Sequence, residues 1–147
     1  VDEPAAAAIA AGRAPDDEDD RQLAHDAFIE AEVEGQIRFV SDGQELIDYL
    51  RAHQHQLGHE RPGIVLLDLN MPRKDGRETL VEIKGDAELC SIPIVVLTTS
   101  HDQDDVARCY VAGASSYISK PASHAGLVEV MRNLRNYWFE LVELPGA

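Results

Sequence analysis

Several short stretches of the chain are almost wholly apolar, and each runs directly into polar or turn-forming residues. Ile64-Val65-Leu66-Leu67 leads into Asp68, and Pro93-Ile94-Val95-Val96-Leu97 into Thr98-Thr99-Ser100. Ile37, Phe39 and Val40 stop at the turn signal Ser41-Asp42-Gly43. A strand covered on both faces has no polar side, so such runs predict buried strands. Ser116-Tyr117-Ile118-Ser119 predicts one more short strand, ending in Lys120-Pro121. Between these runs the apolar residues return at three- and four-residue spacing, the mark of amphipathic helices. Leu23, Ala24, Ala27, Phe28 and Ala31 predict a first helix, ended by Glu34-Gly35 and preceded by acids at 16 to 20 that complement its dipole. Leu46, Ile47 and Leu50 predict a second, and Leu80, Val81 and Ile83 a third. A fourth covers about residues 103 to 111 and stops near Gly113. The last carries Leu127, Val130, Met131, Leu134, Trp138 and Leu141 along one stripe.

Strand and helix therefore alternate, which predicts an α/β fold with a parallel sheet and helices on both faces. The opening of the chain fits least well. Residues 5 to 11 are mostly alanine, which favours helix over strand. The place expected for the first strand, residues 8 to 14, holds Ile9, Gly12 and Arg13 rather than a Val/Ile/Leu run. A strand there is expected to be weak, with amide exchange faster than in residues 64 to 67. The expected organisation is an N-terminal tail over 1–8, one domain over 9–142 and a C-terminal tail over 143–147.

Composition narrows the function classes. The 147 residues suffice for one substantial core. A net charge of −14, from 27 acids against 13 basic residues, argues against nucleic-acid binding, which needs a basic face. No apolar run reaches the roughly 18 residues of a membrane span. Cys90 and Cys109 are not in a Cys-x-x-Cys pair and read as free, half-buried thiols of a reducing compartment, so a cytoplasmic location is expected. His53, His55 and His59 sit among residues typical of a fraying helix and loop, which is the better reading than a metal site.

In open parallel sheets, chemistry gathers beyond the carboxyl ends of the strands. Asp68, Thr98 and Lys120 each directly follow or close a predicted strand. A carboxylate, a hydroxyl and an ammonium brought together there, with Asp16 and Asp17 near a first strand, would suit a hard divalent cation and an anionic phosphoryl group. This is the inventory for making and holding an acyl phosphate.

The run Ile64-Val65-Leu66-Leu67-Asp68-Leu69-Asn70-Met71-Pro72 resembles the phosphoacceptor strand and loop of response-regulator receiver domains. Thr98 follows Asp68 by 30 residues, Tyr117 follows Thr98 by 19, and Lys120-Pro121 completes the pattern over about residues 15 to 142. The resemblance implies a flavodoxin-like, doubly wound five-stranded sheet of order 2-1-3-4-5. It implies phosphorylation of Asp68, switch roles for Thr98 and Tyr117, and phosphate pairing by Lys120. It further implies Mg2+ held by Asp16, Asp68 and the backbone carbonyl of Asn70, with Asp17 the second acid if the register shifts by one. Lys74-Asp75-Gly76-Arg77-Glu78, Leu97-Thr98-Thr99-Ser100-His101 and the ending Tyr137-Trp138-Phe139-Glu140-Leu141-Val142-Glu143-Leu144-Pro145 resemble the single-domain regulators of cyanobacterial phytochromes and bacteriophytochromes. That narrower resemblance implies a phytochrome-type histidine kinase as partner. Apolar Tyr137, Phe139 and Val142 beside the last stripe suggest a homodimer through the fourth and fifth helices and the C-terminal segment.

The chain departs from the family at Pro15, which stands where the first of two acids is expected. Pro15 and the weak first strand motivate an alternative, a pseudo-receiver that binds partners without productive phosphorylation. A phosphatase with an aspartyl-phosphate intermediate would need an acid two residues beyond the nucleophile, and Asn70 stands there. The expectation is therefore a phosphoacceptor that assists its own modification, not an enzyme with an external substrate.

Overall fold

The computed structural model describes residues 8–11, 37–53, 63–71 and 74–143. Five strands, β1 (Ala8–Ala11), β2 (Ile37–Val40), β3 (Ile64–Leu67), β4 (Ile94–Thr98) and β5 (Ser116–Ser119), form one sheet in the order β2-β1-β3-β4-β5. Every pairing is parallel. The described helices are α1 (Gly43–His53), α2 (Gly76–Lys84), α3 (Gln103–Ala112) and α4 (His124–Leu134), the last continuing into a π-helical segment, Arg135–Leu141. The helix expected before Gly35 lies outside the described residues.

Alternation along the apolar strands divides the core in two. Val65, Leu67, Ile94 and Val96 face one side, where they pack with Leu46, Ile47 and Leu50 of α1, Leu80 and Ile83 of α2 and Cys109 of α3. Ile64, Leu66, Val95 and Leu97 face the other, against Val128, Met131 and Leu134 of α4. A strand sandwiched this way must be apolar at every position, and β3 and β4 are buried throughout. β5 is only half-buried, consistent with its place at the sheet edge.

Several expectations need correction. The alanine-rich start favours helix by composition, yet Ala8–Ala11 form the expected first strand, an inner strand in register with β2 and β3 on either side, and Ile9 and Ala11 are buried. Ladder bonds to two neighbours override alanine's local preference. Ala8, assigned to the tail, is part of that strand. In α2, Leu80 and Ile83 are buried but Val81 is 61 % exposed, because it sits on the opposite side of the helix from the sheet. In the last helix Val128, outside the expected stripe, is buried, whereas Leu141 is 71 % exposed. The wider π turn, with Val142 N–H donating to the Tyr137 carbonyl, shifts the phase of the stripe. The cysteines are not alike: Cys109 is buried and Cys90 exposed.

Candidate functional site

The carboxyl ends of β3, β4 and β5 deliver the site. The ladder extends one residue past β3, with Asp68 N–H donating to the Ala11 carbonyl at 3.0 Å. Thr98 ends β4 opposite Ser119, and Lys120 N–H donates to the Thr98 carbonyl at 2.7 Å. Backbone pairing alone thus sets Asp68, Thr98 and Lys120 along one sheet edge.

Their side chains meet. Asp68 is 6 % exposed and Thr98 fully buried. The Thr98 hydroxyl donates to Asp68 Oδ1 at 2.9 Å, and the Asn70 N–H donates to the same oxygen at 3.1 Å. Lys120 Nζ lies 3.3 Å from Asp68 Oδ2. A carboxylate this buried is costly unless its charge is met by donors and a cation, and here both oxygens are met.

The third predicted helix explains how the loop after Asp68 is held. Asp75 caps α2, accepting from Arg77 N–H at 2.7 Å, while the Glu78 carboxylate accepts from Asp75 N–H, a reciprocal capping box. The next residue, Gly76, is buried, and its N–H donates to the Leu69 carbonyl at 2.9 Å. A Cβ at Gly76 would stand 2.3 Å from the Asp68 carbonyl oxygen, so only glycine lets α2 approach the loop this closely.

Tyr117 is half-buried, and its hydroxyl donates to the Ser100 carbonyl at 3.0 Å. Burial pushes its phenol pKa up, keeping the ring neutral and a donor. Thr99 is exposed.

Asp16, Asp17 and Pro15 lie outside the described residues, as do His55 and His59. Among the described residues no three His, Cys, Asp or Glu side chains gather as a metal cluster. The donors present at the Asp68 edge are oxygens, a carboxylate beside an exposed Asn70. An oxygen set with few protein ligands fits a hard divalent ion that keeps part of its water shell.

A doubly wound parallel sheet carrying an acid, a hydroxyl and an ammonium at its carboxyl edge is the architecture of receiver domains. The chain belongs to the response regulator receiver domain family, whose profile matches residues 14–132. It is 35 % identical over 132 residues to the response regulator Rcp1 of Synechocystis sp., covering 90 % of each protein. The structure superposes on the Mn2+-bound form of Rcp1 with a TM-score of 0.80 and 33 % identity, covering 95 % of this chain and 99 % of that one. It superposes on the phosphorylated cyanobacterial phytochrome response regulator RcpA with a TM-score of 0.83 and 36 % identity, over 97 % of this chain and all of that one. The response regulator RPA3017, from red light signalling of R. palustris, gives 0.83 at 31 % identity, over 96 % and 99 %. The fold is therefore the flavodoxin-like receiver fold, and the chain is related to phytochrome response regulators. No described helix is long and apolar enough to cross a membrane.

Two features of the site were not singled out from the sequence as functional: the close approach of Gly76, and an Arg77–Asp105–Ser100 cluster beside Tyr117. The Asp75-Gly76 turn signal and the Asp-x-x-Glu capping pattern could have marked the first. The second joins residues far apart in the chain and leaves no local pattern.

Proposed function

We propose that this chain is a response-regulator receiver whose Asp68 accepts a phosphoryl group from the phosphohistidine of a phytochrome-type histidine kinase. The observation that carries this reading is the buried Asp68 carboxylate, with the Thr98 hydroxyl and Asn70 N–H on one oxygen and Lys120 on the other. An Asp68 oxygen attacks phosphorus, the P–N bond to the kinase imidazole breaks, and its electron pair stays on that nitrogen, which takes up a proton. Lys120 then pairs with a phosphoryl oxygen and Thr98 donates to another. Tyr117 and Thr98 are the residues that answer the added charge of about −1.5 to −2.

Mg2+, bound by Asp68, the Asn70 carbonyl and Asp16, with Asp17 as the alternative acid, would neutralise charge on the transferring group. The Mn2+-bound form of Rcp1 supports a divalent cation in this role. A homodimer through α3, α4 and the C-terminal segment fits the exposed Leu141 and the exposed Tyr137, which lines a groove with Ile118, Val130, Leu134 and Trp138. A cytoplasmic location follows from the kinase partnership.

The test is phosphoryl transfer from labelled, autophosphorylated kinases. Transfer from a bacteriophytochrome kinase that outpaces transfer from a kinase with an unrelated sensor, and fails with Asp68→Asn, supports the reading. No transfer from either kinase would favour the pseudo-receiver.

A further inference from the structure

Asp105 is a buried carboxylate in the first turn of α3, and the phosphoacceptor chemistry does not use it. Arg77, in the first turn of α2, grips it with one edge of its guanidinium: Nε to Oδ1 at 2.7 Å and Nη2 to Oδ2 at 2.6 Å. The Arg77 Nη1 also donates to both oxygens of Asp75, at 3.2 and 3.1 Å. The Ser100 hydroxyl donates to Asp105 Oδ2 at 2.8 Å, and the Ser100 carbonyl accepts from the Tyr117 hydroxyl at 3.0 Å. Ser100 is two residues beyond Thr98, which bonds Asp68. Next to Arg77, Gly76 bonds the carbonyl of Leu69, the residue after Asp68.

These bonds form a closed ring. From Asp68 it passes through Thr98 to Ser100, across to Asp105 and Arg77, and back through Gly76 and Leu69. The Arg77–Asp105 fork is its only ion pair and joins the two loops that flank the acceptor. A forked, planar cation fixes both distance and orientation of a carboxylate, which a lysine point charge does not. The pair keeps its charges over the whole working range, since the guanidinium holds the Asp105 carboxyl well below the ordinary value.

We propose that Arg77 is a positioning residue: its fork on Asp105 anchors the first turn of α3 and, through Ser100, sets the reach of Thr98 toward Asp68 and the docking of the Tyr117 hydroxyl. The proposal rests on the phosphoacceptor reading for its consequence but not for its geometry. In the unmodified protein the ring holds Thr98 at donating distance, so the acceptor loop is organised before a phosphoryl group arrives. Cutting the ring at Arg77, Asp105 or the Ser100 hydroxyl releases the same loop.

The test compares Arg77→Met, Arg77→Lys, Asp105→Asn, Ser100→Ala and the double variant Arg77→Met with Asp105→Asn. Two readouts are taken: proton exchange and ring resonances of Tyr117 by NMR, and the rate of phosphorylation by acetyl phosphate. Each cut is expected to speed Tyr117 hydroxyl exchange and slow phosphorylation, both by about tenfold, a change that misplacement by a fraction of an ångström can produce. The double variant should be no worse than the more affected single one, and Arg77→Lys should fall between wild type and Arg77→Met. Ser100→Ala should reproduce the Tyr117 effect with the Arg77–Asp105 pair intact, which a purely stabilising role for Arg77 does not predict. Unchanged Tyr117 exchange in folded variants, or additive effects in the double variant, overturns the proposal. If wild type takes up no phosphoryl group, the function proposed above fails, and the Tyr117 readout alone still decides the ring.

Discussion

Replacing Gly76 by alanine adds one methyl group where α2 meets the acceptor loop. By helix propensity alone the change should stabilise, by about 1 kcal/mol. The structure reverses that sign. The new Cβ would lie 2.3 Å from the Asp68 carbonyl oxygen and 2.6 Å from Leu69 Cα, both backbone atoms that no side-chain rotation can clear. Restoring ordinary contact requires α2 and the loop to part by about 1 Å, and overpacking of this kind costs about 1–3 kcal/mol. The same displacement stretches the bond from Gly76 N–H to the Leu69 carbonyl and moves Asp68 against Thr98 and Lys120. A misplacement of about 1 Å at reacting groups can cost about 100-fold in rate. The assay is urea unfolding together with the rate of phosphorylation by acetyl phosphate, with Gly85→Ala as control. Gly85 caps the far end of the same helix, in a right-handed backbone conformation with its nearest contact at 3.2 Å, so its replacement should change neither quantity much. Wild-type stability and rate in Gly76→Ala would refute the claim that this approach positions the acceptor.

The pairing of Lys120 with a nearly buried Asp68 carboxylate predicts that Lys120→Met lowers stability by about 1–2 kcal/mol, and that adding Asp68→Asn recovers most of it; a double-mutant cycle in urea with no coupling would contradict this. The Arg77 guanidinium, by hydrogen bonding, holds the Asp105 carboxyl down at about 2 against the opposing effect of burial. A carboxyl lowered on folding contributes stability above its unfolded value near 4, and that contribution fades as pH falls through 2. Asp105→Asn should therefore be less stable than wild type by about 1 kcal/mol at neutral pH, a figure discounted because the Arg77 side chain is 36 % exposed, with the gap closing between pH 4 and 2. A gap independent of pH in thermal melts would show that the charge is not what matters. The exposed Tyr137 and Leu141 predict a concentration-dependent dimer, and a monomer mass by light scattering at high micromolar concentration would exclude it.

The strands β3 and β4 were legible because burial on both faces leaves no polar position to confuse the pattern, and their ends marked Asp68 and Thr98. β1 was not. Ala8, Ala10 and Ala11 carry no strand signal of their own, and their conformation comes from the ladders on either side. Val81 and Leu141 were misplaced for a different reason: apolar residues on short helices fall near both sides of a stripe, and a π turn resets the phase. At the site, the residues that end strands could be read from sequence because strand ends are local signals. Arg77 and Asp105 are 28 residues apart on the first turns of two helices, and only folding brings them together.

The central claim is that Asp68 takes up a phosphoryl group, and the most direct measurement is intact mass after incubation with acetyl phosphate and Mg2+, for wild type and Asp68→Asn side by side. The account predicts a gain of one phosphoryl group, about 80 Da for such an adduct, in wild type alone. No gain in wild type, or an equal gain in Asp68→Asn, would contradict it.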